Sequence, residues 1–292
     1  MTRLAVVTPS YGPDLELCAD LNHSVLRHCP QDVVHEIVVP SADAPRFRSL
    51  AGDRTRVREV GDFLSRSIRQ VPGANVWIDL RRPFPPVRGW ITQQIVKLAV
   101  AARSDTDVVL LADSDIVFVR PVLPQSYVSG DDVVLYRSDD VVGPHMPRHV
   151  RWHAVARALL GLPPTRTERL PDYIATPCPW DPAVVRSLLA HVERVAGRPW
   201  QRVIGAQLHF SEEILYGVYV DEVLGFRTGS TVTSDMRCGT HWEERALDLE
   251  GVRQLLATSP PDHLAVMISA KSGTPVDVRR TALLEWERSA EG

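Results

Sequence analysis

The stretch VVLLADSDIVFVRP, residues 108–121, decides how this chain is read. Nine of its fourteen residues are apolar, yet Asp113 and Asp115 interrupt the run. A carboxylate placed among apolar neighbours is costly unless it is paired, hydrogen-bonded or bound to a metal. Side chains two apart on a strand share a face, so the two acids converge on one point just past the strand's end. Two like charges so close call for a cation or a shared proton, and a hard divalent ion suits oxygen ligands. A plainer alternative is that Asp113 caps a turn while Asp115 pairs with Arg120.

Working outward, the preceding segment GWITQQIVKLAVAAR (Gly89–Arg103) predicts a helix. Trp90, Gln94 and Lys97 share one face of it, with Gln93 at the edge. That face is either a ligand-directed stripe or a solvated one. RLAVVTPSYGPD predicts a buried first strand, Leu4–Thr8, stopped by Pro9, Gly12 and Pro13. A helical segment to about Cys29 follows. HEIVVPSAD gives a second strand closing at Pro40, and residues 55–60 a short third. Strands are also predicted at 131–138 and 263–271, and helices at 150–161, 181–197 and 211–225. Asp181 and Ser211 stand as N-caps of the last two. The proline-rich passages at 83–86 and 163–164 read as loops. Continuously apolar strands alternating with helices predict an α/β fold with a mostly parallel central sheet flanked by helices. The second half is more irregular.

At 292 residues, with 44% hydrophobic and 24% charged residues, the chain is of ordinary globular composition. A net charge of −3 offers no basic field for nucleic acid. No apolar run is long enough to span a bilayer, and the stretch before Pro9 is too short for a secretory leader, so a cytoplasmic location is expected. The four cysteines (Cys18, Cys29, Cys178 and Cys238) form no CxxC pair, which leaves buried or idle thiols. No phosphate-binding GxxxxGK[ST] loop, GxGxxG turn, GxSxG elbow or HExxH pair is present.

LLADSDIVFVRP resembles the D-x-D segment of GT-A glycosyltransferases, and VVTPSYGPD resembles their first strand and loop. The resemblance implies one GT-A (Rossmann-like) domain over residues 1–292. Its nucleotide-sugar-binding half would be 1–140 and its acceptor-binding half 141–292, where the match is loose. It implies a UDP-, GDP- or dTDP-sugar donor, a sugar-containing or other hydroxyl acceptor, and Mn²⁺ or Mg²⁺. Thr8, Tyr11 and Asp43 would line the base and ribose pocket. Asp113 and Ser114 would meet the nucleotide, and Asp115 would hold the metal. Gln94 and Lys97 would face the donor sugar and phosphates. A histidine from the second half often completes the metal site in this family. His241, in a loop-like MRCGTHW, is the first choice and His263 the second. Lys271 is either a diphosphate contact or a surface lysine. SEEILYG resembles the segment that supplies acids to the acceptor site of some inverting members, which makes Glu212 the general base. Its plainer role, with Glu213, is to stabilise a helix N-terminus. Trp180 is either a sugar-stacking platform or a core anchor.

The implied activity is metal-dependent sugar transfer, inverting, in a bacterial glycan or natural-product pathway. Two rivals are a non-catalytic nucleotide-sugar-binding protein and a metal-dependent phosphohydrolase. Aspartyl-phosphate phosphatases carry their acid pair after the first strand, where this chain has TPSYGPD.

Overall fold

The computed structural model describes residues 2–74, 76–130, 132–225 and 231–291. Along the chain run β1 (Leu4–Pro9), α1 (Leu15–His28), β2 (Val34–Val39) and β3 (Thr55–Glu59). Then come β4 (Ile68–Gln70), β5 (Val76–Asp79), β6 (Arg82–Arg88), α2 (Gly89–Arg103), β7 (Val108–Leu111) and β8 (Ile116–Phe118). The second half holds α3 (Pro147–Leu159), β9 (Cys178–Trp180), α4 (Pro182–Ala196) and α5 (Glu212–Val218). It closes with β10 (Cys238–His241), α6 (Leu249–Thr258), β11 (Ala265–Ile268) and α7 (Val276–Glu291).

The central sheet has the order β9-β7-β1-β2-β3. β7, β1, β2 and β3 are mutually parallel, and only β9 is antiparallel. The continuous apolarity of these strands follows from burial on both faces. Val7, Val109 and Leu111 point into the core that contains α2 residues Ile95 and Val96. Leu4, Val6, Val108 and Leu110 point the other way, against Leu21 and Val25 of α1. Strand alternation thus assigns neighbouring residues to two separate cores. The carboxyl ends of β1, β2 and β7 share one edge, the edge where open α/β sheets bind ligands.

Four departures from the sequence reading concern backbone. Residues 83–86, expected as a loop, lie in β6, the outer strand of the antiparallel meander β4-β5-β6. An edge strand tolerates proline because half its N–H groups need no partner. The strand expected at 131–138 is broken into pieces at Asp132–Val133, Leu135–Tyr136 and Ser138–Val142, while Asp131 lies outside the described residues. Cys238–His241, expected as a loop, is β10, paired with β11 in a small sheet of order β10-β11-β8. The helix expected at 211–225 ends at Val218 and continues as a π-helical turn over Tyr219–Val223. Asp181 and Ser211 do cap their helices, accepting from Ala183 N and Ile214 N respectively. All four cysteines are buried and free. Among the described residues no helix is long and apolar enough to cross a membrane.

Candidate active site

Lys97 is the hub of the site. Apolar neighbours on α2 bury it to 6% exposure. Its Nζ lies 3.0 Å from Asp113 Oδ1 and 3.2 Å from Glu212 Oε1. Burial works against its charge, but the carboxyl groups of Asp113, Glu212 and Glu213 outweigh it, so its pKa stands well above the usual lysine value. One turn earlier on α2, Gln94 Oε1 accepts the backbone N–H of Glu212 at 3.0 Å. The start of α5 is thereby fastened to α2, and the amide Nε2 of Gln94 is left buried without a hydrogen-bond partner among the described residues. Glu213 is also buried and accepts from Ala175 N at 2.9 Å. Burial, opposed by Lys97 and reinforced by Glu212, holds its pKa well above the ordinary carboxyl range.

Asp115 lies on the other side of the turn after β7. Its Oδ2 accepts Ala270 N at 2.8 Å. Arg279 of α7 braces the loop that presents this amide, donating to Ile268 O at 2.7 Å and Ser269 O at 3.1 Å. Burial, and then the charge of Asp113, push the Asp115 carboxyl up to about 6. Arg120 pairs elsewhere, donating to the carbonyls of His263 and Pro260 and lying 5.2 Å from the Trp286 ring centre. Ser114, between the acids, donates to Ser10 Oγ at 2.8 Å and ties this turn to the loop after β1. Asp14, on that loop, also has its carboxyl pKa raised by burial and by Asp113. Three acids therefore meet at the carboxyl edge of the sheet, and only Asp113 has a lysine beside it.

Beside this group opens a cavity of about 280 Å³, lined among others by Pro9, Ser10, Tyr11, Trp90 and Gln93. Tyr11 is exposed and forms part of its wall. Lys271 is exposed, one residue beyond the amide that Asp115 accepts. Of the residues the sequence singled out, the structure brings together Gln94, Lys97, Asp113, Ser114, Asp115 and Glu212. The sequence reading named Glu213 only as a helix-end stabiliser and did not single out Ser10, Asp14 or Arg279. Only Ser10 and Asp14, near the end of the first strand, stood where a signal existed.

Other expected residues fall elsewhere. Thr8 is fully buried, and its hydroxyl bonds His35 Nε2 at 2.9 Å, so it faces the protein and not the cavity. Asp43 Oδ2 accepts Gly12 N at 2.9 Å, which fixes the loop after β1 from beneath. Trp180 is fully buried and stacked on Tyr216 with centroids 5.1 Å apart, so its ring is a core anchor with no face left for a sugar. Both ring nitrogens of His241 are engaged, Nε2 with Arg245 O at 2.7 Å and Nδ1 with Glu243 Oε2 at 2.8 Å. This leaves no free nitrogen for a metal. His263 sits at the opposite end of β11 from Asp115, since Ala265 pairs with Phe118 and Met267 with Ile116. With Asp235 and Asp262 it forms the acid-and-histidine group among the described residues compact enough to share an ion.

Residues 3–260 match DUF6492, a family of unknown function. No curated protein matches the chain. Among solved structures it is similar to one titled "WbbM bifunctional glycosyltransferase apo structure", with 13% sequence identity and a TM-score of 0.51. The likeness covers 99% of this chain and 51% of that one, so this chain spans about half the length of its neighbour. At that identity the two share a fold.

Proposed function

The chain belongs to the DUF6492 family, and from its geometry we propose that it is a metal-dependent GT-A glycosyltransferase acting on a nucleotide-diphosphate sugar. The observation that carries this reading is the junction at Lys97, one ammonium within 3.2 Å of both Asp113 and Glu212. It joins the acid turn at the sheet edge to the helix of the second half. In this reading the nucleoside occupies the cavity between Tyr11 and Trp90, with Asp113 toward the ribose.

Asp115, assisted by Asp113, would hold Mn²⁺ or Mg²⁺. The fit rests on the donor set: two carboxylates two residues apart, one of them neutralised by Lys97. The other is raised in pKa by burial and by its neighbour's charge, a setting in which a hard divalent cation would favour the ionised carboxylate. When bound, such an ion neutralises the charge that develops on a departing diphosphate. The unpartnered Gln94 amide supplies a donor for a sugar or phosphate oxygen. Lys97 holds Asp113 and Glu212 in fixed relation. Glu212, as a carboxylate, is the proton acceptor for the acceptor's hydroxyl in an inverting displacement.

A thermal-shift screen of UDP-, GDP- and dTDP-sugars with and without Mn²⁺ tests the reading. The right donor raises the melting temperature by mass action, and only with the metal. Asp115→Ala abolishes that metal-dependent shift. A wild-type protein indifferent to every nucleotide sugar overturns the proposal. Binding without turnover on any acceptor would favour a non-catalytic binding protein.

A further inference from the structure

A second cavity, of about 390 Å³, lies on the other side of Trp90. Trp90 lines both it and the Tyr11 cavity, so the two adjoin at this residue. The second cavity has a distinct chemistry. Arg88, Arg148 and Arg151 line it together with Trp90, Trp152 and His209, and among the described residues no acidic side chain does. Arg148 lies 4.4 Å from the Trp90 ring centre and 4.7 Å from that of Trp152, while the two indoles meet edge to face at 5.6 Å. Arg151 donates to His209 Nε2 at 3.0 Å. Surface arginines ordinarily find carboxylates. Here, among the described residues, none of the three arginines has an acid within ion-pairing distance, in a chain whose net charge is −3. Helix α3 opens onto the same space with Pro147 and Arg148, and no side chain caps its first turn. Its unsatisfied N–H groups and dipole add to the positive field.

The cleft is also placed for the reaction. Trp90 is seven residues before Lys97 on α2, about 10 Å along the helix axis. Phe210, in the cleft wall, is two residues before Glu212. A molecule in the cleft therefore borders both the proposed donor cavity and the segment that carries the proposed base.

We propose that this cleft is the acceptor subsite and that the acceptor is an anionic sugar, bearing a phosphate or a carboxylate. Guanidinium groups pair such oxyanions in a bidentate manner. The exposed Leu208 and the part of Trp90 that Arg148 leaves open supply apolar surface against which a sugar ring packs. This inference rests on the glycosyltransferase reading, which it deepens by assigning the acceptor's chemistry.

Calorimetric titration of the full chain with glucose 1-phosphate, glucuronate and glucose tests it. One or both anions bind, with glucose at least tenfold weaker, and the tighter anion tells phosphate from carboxylate. Arg148→Ala/Arg151→Ala weakens the anion at least tenfold and leaves the affinity for nucleoside diphosphate (UDP, GDP and dTDP, each with Mn²⁺) within twofold. Arg88→Ala/Arg151→Ala does the same while keeping Arg148 between its indoles, which separates lost charge from lost packing. Equal binding of glucose, no binding of either anion, or an equal loss of nucleotide affinity overturns the proposal. Anion binding survives Asp115→Ala. Failure of the wild type to bind any nucleotide sugar instead counts against the glycosyltransferase reading, whatever the cleft binds.

Discussion

Lys97 Nζ and Glu212 Oε1 stand 3.2 Å apart with both side chains nearly sealed from solvent. A buried pair of this kind contributes little net stability, because desolvation offsets the attraction. Its significance lies in what happens when one member is removed.

Lys97→Met leaves Glu212 buried without its cation, at a cost of about 3 kcal/mol. The double variant Lys97→Met/Glu212→Gln recovers part of that loss, since the sealed Glu212 charge is gone while Asp113 is half exposed to solvent. Urea unfolding of the four proteins gives the coupling energy directly. If the single and double variants are equally destabilised, the pair is not what the packing depends on. Both variants lose nucleotide-sugar turnover.

In the proposed function Asp115 gives up stability to hold a metal. With its carboxyl pushed up to about 6 by burial and Asp113, the folded state above that pH carries an ionised acid in an unfavourable place. Because the folded pKa exceeds the unfolded one, the folded state binds the extra proton, and stability falls as pH rises through the interval between them. Asp115→Asn keeps an acceptor for Ala270 N without the charge. It raises the melting temperature of the metal-free protein by a few degrees at pH 8 and abolishes the Mn²⁺-dependent shift. No gain in stability at pH 8 would refute this account.

His35 sets part of the acid limit. Its Nδ1 bonds Asn22 Oδ1 at 2.8 Å, which also accepts from Thr55, and its Nε2 bonds Thr8. Wholly enclosed, it is lowered by burial to about 3. The unfolded chain binds a proton near pH 6.5 that the folded chain refuses until about 3. The contribution of neutral His35 is thus complete above about 6.5 and is lost as pH falls toward 3. His35→Asn is less stable at pH 7, and its stability declines less than that of the wild type between pH 7 and 5. Parallel declines in denaturant titrations would exclude His35 as the source.

Gly217 explains the glycine in SEEILYG. A Cβ there would be driven into the Tyr173 ring, well inside van der Waals contact. The ring is held from its other end by a 2.6 Å bond from its hydroxyl to Asp221. Gly217→Ala destabilises by about 2 kcal/mol through overpacking. It also shifts α5, so the donor-induced thermal shift shrinks with it. A Gly217→Ala protein with the wild-type melting temperature would contradict this placement.

The parallel core was legible because strands buried on both faces are written as unbroken apolar runs. Gly89–Arg103 and the strand after it could be read almost to the residue, since α2 carries its own periodicity. Strands β4 to β6 were hidden in arginine and proline, which an outer strand tolerates, and β9 in three residues, Cys178–Trp180. At the site, Lys97, Asp113 and Glu212 were singled out as separate candidates, and their meeting is a tertiary fact. Direction was the weak point. Thr8, Trp180 and His241 have side chains of the right type that point into the protein or onto their own neighbours, and residue type does not encode which way a strand faces. Arg279 and Ala270 reach Asp115 from far along the chain, with no local pattern to mark them.

One consequence follows from β9. It pairs with β7 at Leu111↔Cys178, two residues before Asp113, so the strand that leads into the acid turn is held on one side by the second half of the chain. Severing the polypeptide near residue 140 strips β7 of that neighbour and Lys97 of Glu212. A cut there would leave each fragment with an unpaired strand edge and a buried charge robbed of its partner, so the two pieces fold together or not at all.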